Sequence, residues 1–248
     1  RNEKAKEEIL SIIPNGKIEY LLADLASPTQ VRDLANGINN LLENNSKHAL
    51  DVLVNNAGIY LEQKQINQAG VEKTFAVNHL APFLLSYELL PLLKKSQNGR
   101  ILTVTSYSHR TTPMILSRLS NPWPYVGLLA YKRSKLCNVL FTYEFNRRID
   151  GEIRAFAVDP GLVNTSIASK GSDGISDWVW RFRRKQGTGA DVPAKTIVYL
   201  SGAEKIDTSQ GYYFKNCAPL KPSLLARDKS IAQGLWDLSC ELSNIEWN

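Results

Sequence analysis

The sequence predicts an α/β fold: a doubly wound parallel sheet with helices on both of its faces. Two observations carry that prediction. Short apolar runs alternate almost without exception with longer amphipathic stretches, and alternating strands and helices build parallel sheets that are buried on both sides. Residues that a core strand does not need also collect where the apolar runs stop, at Asp24, Asn56, Ser106 and Pro160. Ligands of such folds bind beyond the carboxyl ends of the strands. With 248 residues and 43% hydrophobic content, the chain is long enough for one large domain with a substantial core.

The elements follow from local signals. Asn2 to Ile13 reads as a charged helix, closed by Pro14 and the turn Asn15-Gly16. Ile18, Tyr20 and Leu22 alternate with their neighbours and predict a strand with Asp24 at its carboxyl end. Ser27-Pro28-Thr29-Gln30 combines an N-cap, a first-turn proline and a capping-box glutamine, opening a helix that runs to about Asn44. Leu50 to Asn55 is a short apolar strand. Gly70 to Lys95 is a long helical stretch interrupted near Pro82 and Pro91. Arg100 to Thr105 predicts a strand ahead of Ser106. A loop with Pro113, Pro122 and Pro124 then leads into a helix from Gly127 to Arg148. Ile153 to Val158 is a strand, Asp191-Val192-Pro193 opens a helix, Gly211 to Lys215 is a last strand, and Leu225 to Leu242 is a final helix.

Composition narrows the function. The net charge of +6 suits an anionic ligand such as a nucleotide phosphate, but the basic residues are scattered rather than striped, which argues against a nucleic-acid surface. Cys137, Cys217 and Cys240 are far apart, and His48, His79 and His109 are the only histidines. Neither set has metal-ligand spacing, so no metal site is expected and the thiols fit a reducing, cytoplasmic setting. No apolar run approaches the ~20 residues of a membrane span. Within the polar, glycine-containing segment Ser166 to Gly189 lies Trp178-Val179-Trp180-Arg181-Phe182, followed by Arg183 and Arg184. It reads first as a lid over an apolar substrate and second as a membrane-surface contact through residues 178–184.

The chemistry centres on Tyr131 and Lys135, which four-residue spacing puts on one helical face. A free phenol ionises near ~10, and a fixed positive charge favours its phenolate. Lowering that value by ~3 takes roughly 4 kcal/mol, more than one solvated lysine supplies, so a cofactor cation and a dry pocket would have to share the work. Alone, the pair also fits an ordinary solvated helix. Ser106 is a turn residue or a hydrogen-bond donor to a substrate oxygen. Asn78 is a paired structural amide or a kink that holds a water and relays protons to Lys135. Asn55-Asn56-Ala57-Gly58 is a plain turn or a place where backbone approaches a flat ligand closely. Asp24 caps local amides or accepts from an adenine amino group.

Asp24-Leu25, Asn55-Asn56-Ala57-Gly58, Asn78, Ser106, Tyr131-x-x-x-Lys135 and Pro160-Gly161 stand in the order and spacing of the short-chain dehydrogenases/reductases, and the chain resembles that family. Within it, Tyr131 to Phe141 and Leu235-Trp236-Asp237-Leu238-Ser239-Cys240 are similar to retinol dehydrogenases and the WW-domain oxidoreductase group. The closer likeness covers roughly residues 2–242. It implies a Rossmann-like fold and NAD(P)-dependent hydride transfer between an alcohol and a carbonyl on a small-molecule substrate such as a retinoid, steroid or aldehyde. Tyr131 would be the general acid/base, and Lys135 would lower its pKa and hold the nicotinamide ribose. Ser106 would bind the substrate oxygen, and Asn78 would anchor the proton relay. Asp24, Leu25, Asn56, Ala57 and Gly58 would line the adenosine part; Pro160, Gly161, Val163 and Thr165 would meet the nicotinamide end. Arg1 falls where relatives carry an arginine that favours the 2′-phosphate, so NADP is expected in preference to NAD.

The resemblance also implies a homodimer. The helices around His79 to Leu93 and Leu136 to Phe145, which relatives pair with a second subunit, are richer in apolar residues than one buried stripe requires. Two departures stand out. The family's first strand and its Thr-Gly-x-x-x-Gly-x-Gly turn have no counterpart, and Gly187-Thr188-Gly189 follows a basic polar stretch rather than a strand. Because the chain starts at Arg1 rather than Met, it is expected to be a single domain, residues 1–248, that has lost its opening βα unit. Ala81-Pro82 replaces the glycine and histidine usual in relatives, with little effect expected on chemistry. Two function classes follow: an oxidoreductase, or a non-catalytic binding or scaffold protein that kept the fold. The intact Asn78, Ser106, Tyr131 and Lys135 favour the first.

Overall fold

The computed structural model describes residues 2–149, 151, 153–161, 189 and 191–247. One sheet of five strands runs in the order β1 (Val52–Asn55), β2 (Arg100–Val104), β3 (Arg154–Val158), β4 (Tyr213–Lys215) and β5 (Ala218–Pro219). The first four are parallel, with Val54 opposite Leu102 and Leu102 opposite Phe156. β5 returns antiparallel from β4 through Asn216 and Cys217, both at positive φ (50° and 61°), the backbone that a tight hairpin turn requires. The sequence predicts β1 to β4 but not β5, which is too short for a periodicity to register.

The helices are α1 (Asn2–Ile12), α2 (Pro28–Asn44), α3 (Lys73–Phe75), α4 (Ala81–Glu88), α5 (Leu90–Leu93), α6 (Gly127–Arg148), α7 (Asp191–Gly202) and α8 (Lys229–Ser243). They cover both faces of the sheet. On one side Leu53, Ile101 and Ala155 pack with Phe83, Phe141, Phe145 and Trp236 from α4, α6 and α8. On the other, Leu102, Phe156, Val158 and Phe214 lie against Leu200 of α7. β2 and β3 are therefore buried on both faces, as continuous apolar runs should be. The predicted α/β, Rossmann-like architecture is the one observed.

The predicted strand at Ile18 to Leu22 does not form a ladder. Its residues have no strand assignment, and Tyr20, Leu21 and Leu22 are exposed. Alternation sets which side chains face together, but a strand persists only where a neighbour takes its backbone hydrogen bonds, and no described strand lies beside it. β1 is correspondingly the terminal strand of the described sheet, with Val54 39% exposed. The cap of α2 also differs in detail: Ser27 Oγ accepts from Gln30 N, but Gln30 Oε1 accepts from Asp24 N at 2.8 Å rather than from Ser27.

The long helical stretch breaks where its prolines predict. Between α3 and α4 the chain makes a π turn, Ala76–Leu80, closed by Ala81 N–H donating to Ala76 O. The residue that would donate to the Asn78 carbonyl in a regular helix is Pro82, which has no N–H. The wider turn centred on Asn78 follows from that missing donor.

The apolar surplus on α4 and α6, from which a homodimer is expected, is buried by the same chain. Trp236 of α8 packs edge-on to Phe83 at 5.2 Å and stacks on Phe141 at 6.0 Å. Trp247, beyond the end of α8, lies 5.0 Å from Phe83, 5.3 Å from Tyr87 and 5.9 Å from Phe145. Trp236 Nε1 donates to Trp247 O at 2.9 Å, and Arg32 donates to Ser243 O at 2.6 Å, tying the segment down. The surplus is thus spent on the chain's own C-terminal segment. α8 follows α6 by a long connection, so local periodicity could not show which face it covers.

Candidate active site

Of the residues singled out, Gly58, Asn78, Ser106, Tyr131 and Lys135 lie close together. Tyr131 and Lys135 lie on the inner face of α6, both buried. Val126, extended at φ −132°, starts that helix, and the tight approach of Gly127 fixes its angle: a Cβ there would fall 2.2 Å from Leu61 O. Ser106 follows β2 and also caps the short 3₁₀ turn Tyr107–Thr111, its Oγ accepting from Ser108 N at 3.2 Å. It hydrogen-bonds the Tyr131 hydroxyl as well. Ser106 thus caps the turn and touches the phenol with one side chain.

Lys135 Nζ donates to Val104 O at 3.0 Å, and Thr105 Oγ1 donates to Lys135 O at 2.7 Å, so the end of β2 clamps this turn of α6. Burial pulls the ammonium down from 10.5 to about 8. The Tyr131 phenol goes the other way: burial pushes it up to about 12, its hydrogen bond with Ser106 opposes that, and the Asp159 carboxylate adds to it. Lys135 Nζ sits 5.7 Å from the centre of the Tyr131 ring. In the protein alone the loss of water around the oxygen therefore sets the direction, and lowering the phenol's pKa takes more positive charge than this one ammonium supplies.

Asn78 is fully committed through its side chain. Its Oδ1 accepts from Ile59 N at 2.7 Å, and its Nδ2 donates to Ile59 O and to Ser134 Oγ, each at 3.0 Å. This pins the loop after β1, so that Tyr60 meets Tyr131 edge-on at 6.1 Å. Gly58 is the close approach in that loop. A Cβ there would lie 3.3 Å from Lys135 Nζ and 3.4 Å from Asn78 Oδ1. The glycine keeps open a cradle beside the ammonium, which fits a ribose and a flat ring.

Asn56 and Ala57 are exposed at the end of β1. Asp24 is exposed, with Oδ1 accepting from Ala26 N at 2.9 Å, while Leu25 packs against the apolar cluster beneath α2. At the end of β3, Gly161 takes φ +70° and donates its N–H to Asp159 Oδ1 at 2.9 Å, so the Pro160-Gly161 turn is set by the preceding aspartate. Arg1, Val163, Thr165 and residues 166–188, including the Trp178 to Phe182 patch, lie outside the described residues. No helix among the described residues is long and apolar enough to cross a membrane.

Three residues join the site that sequence reasoning passed over. Asp159 is buried and accepts from Tyr213 OH at 2.5 Å. Tyr213, from β4, stands edge-on to His109 at 5.0 Å. His109 donates from Nδ1 to Ser106 O at 2.8 Å. The only sequence signal was proximity: Asp159 precedes Pro160-Gly161 and His109 follows Ser106 by one 3₁₀ turn.

Residues 1–175 match the family model described as short chain dehydrogenase. The chain belongs to the short-chain dehydrogenases. As a member, it is an oxidoreductase acting on the alcohol–carbonyl pair, in a family that uses a nicotinamide cofactor. This short-chain dehydrogenase is 32% identical over 248 residues to "Retinol dehydrogenase 12" of Mus musculus, a match spanning 100% of this chain and 76% of that protein. It is 33% identical to "WW domain-containing oxidoreductase" of Gallus gallus, over 96% of this chain and 58% of that protein. Among solved structures, an uncharacterised protein from Mycobacterium paratuberculosis superposes with a TM-score of 0.70 at 29% identity, over 94% of this chain and 78% of that one. The retinol dehydrogenase-like resemblance drawn from the motifs is the one these matches support.

Proposed function

We propose that this dehydrogenase interconverts an apolar alcohol and its carbonyl with Tyr131 as the general acid/base, using NADP in preference to NAD. The observation that carries the proposal is the convergence of Ser106, Tyr131 and Lys135 beneath the glycine cradle at Gly58. A reduced nicotinamide, when bound, supplies the hydride. Every proton is then handled by the chain's own groups. Tyr131, held protonated at neutral pH by burial, donates its hydroxyl proton to the carbonyl oxygen as negative charge develops there. Ser106 Oγ, already bonded to that phenol, holds the same oxygen. In the alcohol direction Tyr131 has to accept a proton, which requires further positive charge near the ring beyond that of Lys135.

Lys135 uses one N–H on Val104 O, which leaves two for ribose hydroxyls. The Asn78 side chain is spent on Ile59 and Ser134, so a proton relay through this residue falls to its backbone carbonyl, for which Pro82 offers no helical donor. Asp24 keeps one carboxylate oxygen for an adenine amino group. Asn56, Ala57 and the turn Pro160-Gly161 would flank the cofactor; by the family resemblance Val163 and Thr165 would serve the nicotinamide end and Arg1 the 2′-phosphate. Leu25 would contribute backbone only. The apolar class of substrate rests on the relative named for retinol and on exposed Tyr107 and Val126, which adjoin Ser106 and the start of α6.

We read the 248 residues as one domain, with β1 at the edge of the described sheet. The homodimer is not part of this reading, because α8 and Trp247 already cover the surface it would use. The test is Tyr131→Phe, assayed for NADPH-dependent carbonyl reduction. Turnover should fall by ~10²–10⁴-fold, the range for a positioned proton donor, with cofactor affinity unchanged. A Phe variant that keeps more than half of the activity shows that Tyr131 is not the acid.

A further inference from the structure

His109 is almost completely buried, at 1% exposure, one turn beyond Ser106. Its two ring nitrogens have different partners. Nδ1 lies 2.8 Å from Ser106 O, a carbonyl that can only accept, so Nδ1 carries the proton. Nε2 is then the acceptor, and it receives Ser223 N–H at 3.3 Å. One neutral imidazole thus ties the backbone of Ser106 to a segment more than a hundred residues away. Its neighbour reinforces the tie: the Arg110 guanidinium donates to Lys221 O and stacks near the rings of Tyr107 and Tyr213, at 5.4 and 5.7 Å. The ring itself is wedged against Tyr213, whose hydroxyl is held by Asp159. The tethered segment leaves β5 and carries Leu220 and Leu224, both exposed, the latter at 81%.

We propose that His109 is a positioning residue that latches segment 220–224 to Ser106, so that the group holding the substrate oxygen and an apolar wall carrying Leu220 and Leu224 keep a fixed spacing. The proposal rests on the functional reading above for its kinetic part alone. A histidine serves where a single rigid ring has to donate on one edge and accept on the other. Phenylalanine fills the same space with neither capacity. Glutamine offers a donor and an acceptor on one amide.

Hydrogen exchange of the Ser223 amide tests the latch without any turnover. In His109→Phe, protection of Ser223 should drop by roughly 5- to 10-fold, the range for one lost hydrogen bond, and His109→Gln should recover most of it. In kinetics, the KM for a bulky apolar carbonyl should rise by roughly fivefold in His109→Phe and return in His109→Gln. kcat for a small aldehyde and the KM for NADPH should stay put. Unchanged Ser223 protection in a folded His109→Phe overturns the latch. So does equal loss in the Phe and Gln variants, since a purely space-filling role would not distinguish donor from acceptor geometry. Changed protection in a protein that reduces no carbonyl leaves the latch standing and removes the functional reading instead.

Discussion

Replacing Lys135 by methionine tests the electrostatics of the site directly. Lys135 is 3% exposed, and burial takes its ammonium from 10.5 to about 8. A gap of that width corresponds to about 3 kcal/mol that the native state gives up to keep the group charged. The sign follows from proton counts. Between pH 8 and 10.5 the unfolded chain binds the proton and the folded chain has released it, so stability rises with pH through this window. At pH 7 nearly the whole cost is present, and by pH 9 it has shrunk by about 1 kcal/mol. Methionine has a similar length and no charge, so its stability should lack this rise. The variant also loses the donor to Val104 O, a constant offset at every pH. Cys137, pushed up by burial, opposes the trend above its ordinary value of 9 but does so in both proteins and cancels in the difference. The assay is urea unfolding of the wild type and Lys135→Met at pH 7, 8 and 9. The difference in unfolding free energy should shift by about 1 kcal/mol in favour of the wild type between pH 7 and 9. Parallel curves would mean that the ammonium is solvated, and the argument for a dry pocket around Tyr131 would fail with it.

Two other outcomes follow from the packing. Burial holds His79 at about 4, well below 6.5, so between those values the unfolded chain binds a proton that the folded chain refuses. Stability from this residue is complete above pH 6.5 and falls by about 3 kcal/mol on acidification to pH 4; a His79→Gln variant compared by urea unfolding at pH 7 and 4.5 should show a smaller acid loss, and an equal loss would place the acid sensitivity elsewhere. Trp247→Ala removes the ring packed on Phe83, Tyr87 and Phe145 and should cost about 3–5 kcal/mol. The wild type should sediment as a monomer of 27.8 kDa at micromolar concentration, and the variant should begin to self-associate through the uncovered face of α4 and α6. A wild-type dimer would show that another surface pairs the chains.

Much of this was legible in the sequence, and the reasons differ by residue. The sheet could be read because β2 and β3 are apolar on both faces, a pattern that α/β burial imposes. Tyr131 and Lys135 could be paired because helical spacing is fixed at short range. The break at Asn78 announced itself through Pro82, although its π geometry did not. What escaped notice depends on contacts between distant segments. The alternation at Ile18 to Leu22 is present, but whether it becomes a strand is decided by a neighbour. His109, Asp159 and Tyr213 come from three different strand ends and form one cluster only after the sheet assembles. The cover of α4 and α6 by Trp236 and Trp247 is likewise a long-range fact, and it changed the meaning of an apolar surplus that was correctly seen. The Tyr131 pKa shows the same limit: the sequence names the cation, but burial sets the larger effect.

The most direct test of the central claim is the fate of a labelled hydride. The protein is incubated with NADPH deuterated at the transferable position of the nicotinamide and a retinoid-like aldehyde, and the alcohol formed is weighed by mass spectrometry. Protein-dependent deuterium on the carbinol carbon, with the same experiment on Tyr131→Phe giving ~10²–10⁴-fold less labelled alcohol at equal cofactor saturation, is the predicted result. Saturating NADPH bound to the wild type with no deuterium transferred to any of a retinoid, steroid or simple aldehyde carbonyl would contradict it and leave a fold that binds without reacting.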